Sequence, residues 1–250
     1  MVKRILLSIV MLGLIAYLII AITSFNKKSD KQTCHDIDLA IKDTAYAGFI
    51  TKGEIKGLLE QKGIYPVGKS MSRISTKSLE REISKHPLID KAECYKTPSG
   101  KICIEVKQRV PILRVMCNDG DNYYVDNRGT IMPPEAKCIA HLAIVTGNVE
   151  KSFAMRNLYK FGVFLQNNQF WNAQIEQINV LPGRTVELVP RVGDHLIYLG
   201  KLEHFEDKLA RLKTFYEKGL NQVGWNKYSR ISLEFDNQII CTKREGSNEI

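Results

Sequence analysis

Along this chain the spacing of apolar and polar positions changes, and each change marks an element. Ile5 to Phe25 reads ILLSIVMLGLIAYLIIAITSF, apolar throughout and uncharged. As a helix this stretch would extend about 31 Å, close to the roughly 30 Å hydrocarbon core of a bilayer. One transmembrane helix is therefore predicted over 5–25, after a short start at 1–4. A cleaved signal peptide has a shorter apolar core, roughly 7 to 15 residues, and a small-x-small cleavage site. Ala21-Ile22-Thr23 is a poor site of that kind, so an uncleaved anchor is preferred. A polar linker, 26–33, follows.

From residue 34 the pattern alternates. Ile37, Leu39 and Ile41 between polar neighbours predict a half-buried strand. TKGEIKGLLEQKG, from Thr51, predicts a helix: Thr51 and Glu54 have capping-box spacing, and Ile55, Leu58 and Leu59 form its apolar stripe. A second helix is predicted in STKSLEREISKHP, with Leu79 and Ile83 on one face and an end at His86-Pro87. Strands at Ile89 to Lys96 and Lys101 to Lys107 then form a hairpin. A three-residue turn, Pro98 to Gly100, aligns Ala92 with Val106 and Cys94 with Ile104, which makes Cys94 a core residue and turns Cys103 outward.

Beyond residue 110 the expected elements are mostly strands. GDNYYVDNRGTIMP (120–133) reads as strand, turn and strand, and Ala154, Leu158, Phe161 and Leu165 have the spacing of a core-facing helix. Three strands are predicted between 173 and 200, turning at Pro182-Gly183 and Gly193-Asp194. A helix then carries Leu202, Phe205, Leu209, Leu212 and Tyr216. Last comes a long apolar strand in RISLEFDNQIICTKREG, from Arg230, in which Ile231, Leu233 and Phe235 alternate with polar residues and Ile239, Ile240 and Cys241 follow. A closing strand is often an edge strand, with backbone groups free to pair with another chain.

Charge and composition narrow the function more than they extend it. The 250 residues, 44% hydrophobic and 25% charged, suit two folded units with real cores. A net charge of +9 would suit nucleic acid, but Lys and Arg alternate with acids, as in EHFEDKLARLK, the pattern of a solvated helix face. Cys34, Cys94, Cys103, Cys117, Cys138 and Cys241 form no C-x-x-C, and His35, His86, His141, His195 and His204 are scattered. No metal, cofactor or catalytic residue is predicted, since G-x-S-x-G, H-E-x-x-H and phosphate-loop patterns are missing. Lys3 and Arg4 against Lys27, Lys28 and Lys31 leave the orientation of the anchor open.

HPLIDKAECYKTPSGKICIEVKQRVPI, in the order strand, helix, helix, strand, strand, resembles a POTRA domain. Taken with YYVDNRGTIMP, LGKLEHFEDKLARL and ISLEFDNQIICT, the chain resembles the FtsQ/DivIB family of bacterial cell-division proteins. That resemblance implies an α+β protein: a single N-terminal transmembrane helix, a POTRA domain (βααββ) at 34–110, a mixed β-domain with an open C-terminal edge strand at 111–243, and a tail at 244–250. It implies a non-catalytic divisome scaffold in the inner membrane at the septum, its bulk periplasmic, which binds FtsB- and FtsL-like bitopic proteins and helps recruit septal cell-wall synthesis. Strand addition to the last strand would assign partner binding to Ile231, Leu233, Glu234, Phe235, Asn237 and Ile239, with Phe235 and Asn237 at the family's aromatic and polar positions. Alternation with Ile231 and Leu233 equally allows Phe235 to point into the core. An anchored cell-envelope enzyme, or a POTRA subunit of an outer-membrane assembly machine, are the alternatives.

Overall fold

The computed structural model describes residues 9–21, 32–42, 50–134 and 142–244. Cys138, His141, both ends of the expected anchor and most of the expected linker lie outside the described residues. Helix α1 occupies 9–21 and presents its apolar side chains outward, Leu12 being 71% exposed. It spans about 20 Å. Among the described residues no helix is long and apolar enough to cross a membrane.

Two compact units divide between Gln108 and Arg109. In the first, β1 (Asp36–Lys42) precedes α2 (Lys52–Gln61) and α3 (Thr76–Ile83), and β2 (Ile89–Lys96) and β3 (Lys101–Gln108) close it, in sheet order β1-β3-β2. Helix α2 begins where the capping box places it. The Glu54 N–H donates to Thr51 Oγ1 at 3.2 Å and the Thr51 N–H to Glu54 Oε2 at 2.6 Å, so two backbone donors that the helix cannot satisfy find acceptors. Ile55, Leu59, Leu79 and Ile83 bury the helices against Ile37, Leu39, Ile102, Ile104 and Val106. The hairpin register is Ala92 with Val106 and Cys94 with Ile104, and Gly100 takes φ +83° at its turn. Cys94 is buried; Cys103 is half-buried.

Among the described residues the second unit is one mixed sheet of nine strands: β4 (Pro111–Cys117), β5 (Asn122–Asp126), β6 (Ile131–Met132), β7 (Ala143–Gly147), β8 (Ile175–Leu181), β9 (Thr185–Pro190), β10 (Leu196–Lys201), β11 (Tyr228–Ser232) and β12 (Ile240–Lys243). Their order is β12-β11-β10-β9-β8-β7-β4-β5-β6. Between β7 and β8 run α4 (Lys151–Phe153), a π-helical turn (Ala154–Leu158), α5 (Tyr159–Asn167) and α6 (Gln169–Gln174). Between β10 and β11 run α7 (Phe205–Phe215), a second π turn (Tyr216–Leu220) and α8 (Asn221–Val223). Both helical crossovers bury their apolar stripes in one core with Val115, Val145, Ile178, Leu188, Ile197 and Ile231.

Three expectations change. Strands β4 and β7 join the sheet although neither stands out by alternation: β4 has Pro111, Ile112 and Leu113 all buried, so period two fails where a strand end is covered on both faces. The expected helix over Leu202 begins only at Phe205, because His204 adopts a left-handed conformation, φ +50°. The largest correction is at the C-terminus. The single strand expected from Ile231 through Cys241 is two: the first ends at Ser232 and continues past Leu233 and Glu234 into a turn, and the edge belongs to β12, which starts at Ile240. Asp236 and Asn237 explain the break: both side chains favour turns, and Asn237 sits at φ +59°, a left-handed conformation that Asn tolerates better than most residues.

Gly147, at φ +95°, ends β7 where a Cβ would stand 2.2 Å from the Val180 carbonyl oxygen. Gly147→Ala therefore combines left-handed strain with a backbone clash, and is expected to cost about 3 kcal/mol or more, or roughly 6 to 12 °C of melting temperature. Gly183→Ala, also left-handed but in open space, should cost about 1–2 kcal/mol. Thermal melts of the two variants check the difference.

Candidate functional site: the C-terminal sheet edge

A sheet edge exposes backbone donors and acceptors, so each edge is either masked or available. In the first unit, β1 carries Asp36, Asp38 and Lys42. The other edge there, β2, is met by α3: the Cys94 N–H donates to Glu80 Oε1 at 2.8 Å. In the second unit β6 has only two residues. Strand β12 remains, with Ile240, Cys241 and Thr242 uncharged and Lys243 at its end.

Pleat geometry shows which groups of β12 are free. The Leu233 N–H donates to the Tyr198 carbonyl at 2.8 Å, in parallel register with β10. Ile231 and Leu233 thus turn their backbone groups toward β10, while Arg230 and Ser232 turn theirs toward β12. Their antiparallel partners, Thr242 and Ile240, face inward. Cys241 and Lys243 consequently point their N–H and C=O groups outward, in keeping with the Arg244 N–H donating to the Lys227 carbonyl at 3.1 Å just beyond the Tyr228–Lys243 pair. Among the described residues no hydrogen bond reaches these outward groups of Cys241 and Lys243.

Side chains alternate in step. Cys241, opposite Ile231, lies half-buried against the core, and burial pushes its thiol pKa up, which keeps it a protonated packing group. Ile240 and Thr242 face the open side of the sheet, Ile240 being 47% exposed. On that side Arg230 makes an ion pair with Glu187 at 3.2 Å and lies 4.5 Å over the Tyr198 ring.

The six residues expected to bind a partner do not form one face. Ile231 and Leu233 are fully buried. Bringing them to a partner-facing position would forfeit roughly 1.5–3 kcal/mol each, so they hold β11 in the core instead. Glu234, Phe235 and Asn237 are exposed in the turn, and Ile239 is half-buried. Phe235, 48% exposed, does not enter the core. The expected partner-binding set stops at Ile239, short of the edge strand itself; the Asp236-Asn237 turn signal is the cue that a separate strand follows.

Beneath the edge, His195 is 1% exposed and its Nε2 hydrogen bonds the Tyr216 hydroxyl at 2.8 Å. Its Nδ1 approaches the Trp225 backbone without meeting hydrogen-bond geometry. The next segment ties in through Arg244, whose Nη2 donates to the Asp194 carbonyl at 2.8 Å. Burial, the largest influence, holds the His195 pKa below its ordinary 6.5 against the raising effects of the Trp225 backbone and then of Asp194, and the Arg244 charge, the smallest influence, also lowers it.

Sequence comparison defines first the class and then the family. Residues 32–107 match a POTRA-like domain, so the chain is a POTRA-like module followed by a mixed-sheet domain. Residues 110–242 match the family described as FtsQ/DivIB, C-terminal related. The chain belongs to that family. Over 169 residues it is 27% identical to the Cell division protein FtsQ of Rhodothermus marinus (strain ATCC 43812 / DSM 4252 / R-10), an alignment covering 63% of this chain and 62% of that protein. The chain thus spans less than two thirds of that relative's length.

A histidine kept neutral by folding contributes stability that is fully present above its unfolded pKa of about 6.5 and is lost as pH falls below it. The melting temperature should drop between pH 7 and pH 5. In His195→Gln, which can still meet the Tyr216 hydroxyl but does not titrate, the drop should be smaller; equal slopes in the two proteins would exclude His195 as its source.

Proposed function

We propose that this chain is a non-catalytic cell-division protein, anchored in the inner membrane by residues 5–25, that presents β12 to a bitopic partner. The free outward backbone groups of Cys241 and Lys243 carry this reading. A β-strand laid against them would extend the nine-stranded sheet, with affinity from main-chain hydrogen bonds and specificity from the side chains that flank the edge. Family membership supports the division role, and FtsB- and FtsL-like proteins are the partners that the sequence resemblance implies. Helix α1 supports the anchor: its outward apolar side chains lose no contacts in lipid and would be costly in water. On this reading residues 26 onward are periplasmic, at the septum, where partner binding helps recruit septal cell-wall synthesis.

Exposed Phe235 and Ile240 are the side chains best placed to meet the added strand and what precedes it, whereas Ile231 and Leu233 act only by holding β11. Proline at Leu233 would remove the N–H bonded to Tyr198 and so damage the sheet itself. Cys241→Pro deletes an outward N–H and leaves the β11 ladder formed, as edge strands tolerate; Thr242→Pro deletes a donor directed at β11.

Co-expression with the same organism's FtsB-like protein, followed by co-purification from membranes, distinguishes the outcomes. Cys241→Pro is expected to reduce partner recovery about tenfold or more, the equivalent of roughly one lost hydrogen bond, with a melting temperature close to wild type. Thr242→Pro should lose both binding and stability. Wild-type recovery by a folded Cys241→Pro protein would remove strand addition from consideration.

A further inference from the structure

Helix α7 reaches the ends of β10 and β11 with two cations one turn apart. Lys208, buried at 7% exposure, donates through Nζ to the carbonyls of Leu199 and Lys201 at 3.0 Å each. Those carbonyls flank Gly200, where β10 carries a bulge. Arg211 donates through Nη2 to the Phe235 carbonyl at 3.2 Å. Glu234 lies alongside Gly200, since a Cβ built on Gly200 would stand 3.7 Å from the Glu234 Cβ. The end of β10 and the turn that follows β11 are therefore held by neighbouring positions of one helix. Charges surround the pair: burial, first, and the neighbouring Arg211 disfavour the Lys208 ammonium, whereas Glu203 and, more weakly, Asp236 and Glu234 in the turn favour it.

We propose that Lys208 and Arg211 are positioning residues for the partner-binding edge: Arg211 staples the turn from Leu233 to Ile239 onto α7, Lys208 holds the end of β10 against which that turn lies, and together they fix both Phe235 and the start of β12. The inference rests on β12 being the docking strand. Its physical basis is that the turn leaves the ladder after Leu233 and resumes pairing only at Ile240, opposite Ser232. Between those points Arg211 supplies a charge-assisted hydrogen bond to a backbone group otherwise left to solvent. A turn ordered in advance spares the partner the cost of ordering it on binding.

Hydrogen exchange on the full chain in nanodiscs tests the staple without a partner. Arg211→Ala should speed exchange across 234–243 about tenfold, with β7 to β9 unchanged; Arg211→Lys, which keeps the cation and a donor, should retain most of the protection. Affinity for the co-expressed FtsB-like protein should weaken by about three- to tenfold in Arg211→Ala. In a Phe235→Ala background the same change should add less than about twofold, because the positioned side chain is already gone. Lys208→Met, which keeps the buried volume, should behave like Arg211→Ala. Unchanged exchange in a folded Arg211→Ala protein, or faster exchange with unchanged affinity, would overturn the staple. Failure of the wild-type chain to bind would sink the docking reading instead, and the exchange result would still decide whether α7 orders the turn.

Discussion

Ile231 and Leu233 are inside the core, and β11 is paired on both sides, to β10 in parallel and to β12 in antiparallel register. Strand period leaves little freedom once two large apolar groups on alternate positions are buried. Slipping β11 by one residue would expose both and bury Arg230 and Ser232, a change of several kcal/mol in a molecule whose total stability is of order 10 kcal/mol. The register of β11 then decides which backbone groups of β12 bond inward and which face out. An edge four residues long is thus placed by two buried side chains of the strand beside it.

The two units treat their sheet edges differently. In the POTRA-like unit, a helix carboxylate, Glu80, satisfies an outward N–H of β2, and the opposite strand is lined with charge. The mixed sheet ends in a two-residue strand on one side and in β12 on the other. Natural sheets block the edges they do not use, and an edge left open beside exposed Ile240 and Phe235 is what a strand-adding partner needs. The same openness makes β12 a site for unwanted association, which Lys243 at its end and the nearby Arg230 and Arg244 oppose through charge.

Polar groups near this edge are used as ties and not as chemistry. Lys208 and Arg211 bond carbonyls, Arg244 bonds the Asp194 carbonyl, Arg230 is held by Glu187 and Tyr198, and His195 meets the Tyr216 hydroxyl. Arg211 and Arg244 join segments distant in sequence, α7 to the turn after β11 and the residue after β12 to the loop before β10, while Lys208 ties α7 to the end of the strand before it. With so little apolar surface available to a peripheral strand, such bonds reinforce the position that the buried Ile231 and Leu233 give it. Charge-assisted bonds to carbonyls, at about 1.5–3 kcal/mol where partly shielded, are large enough for that role.

Local order was the part legible in the residues themselves. The Thr51–Glu54 capping box, the Leu79–Ile83 stripe, the three-residue turn at Gly100 with its register, and the apolar face of α7 all depend on neighbours within a few positions, where period and turn chemistry act directly. Beyond the hairpins, which strands lie side by side was not legible, because β4 and β7 reveal themselves only by pairing with each other and with their neighbours. The end of the chain shows the division most clearly. Alternation alone continues from Ile231 to Phe235 and resumes at Ile239, and it cannot register that Asn237 turns left-handed or that Arg211 captures the Phe235 carbonyl. Sequence by itself determined that the chain closes on β-forming residues. Only the tertiary structure decided that those residues make a buried strand, a tethered turn and a separate edge, because burial and pairing are properties of what surrounds a strand and not of the strand.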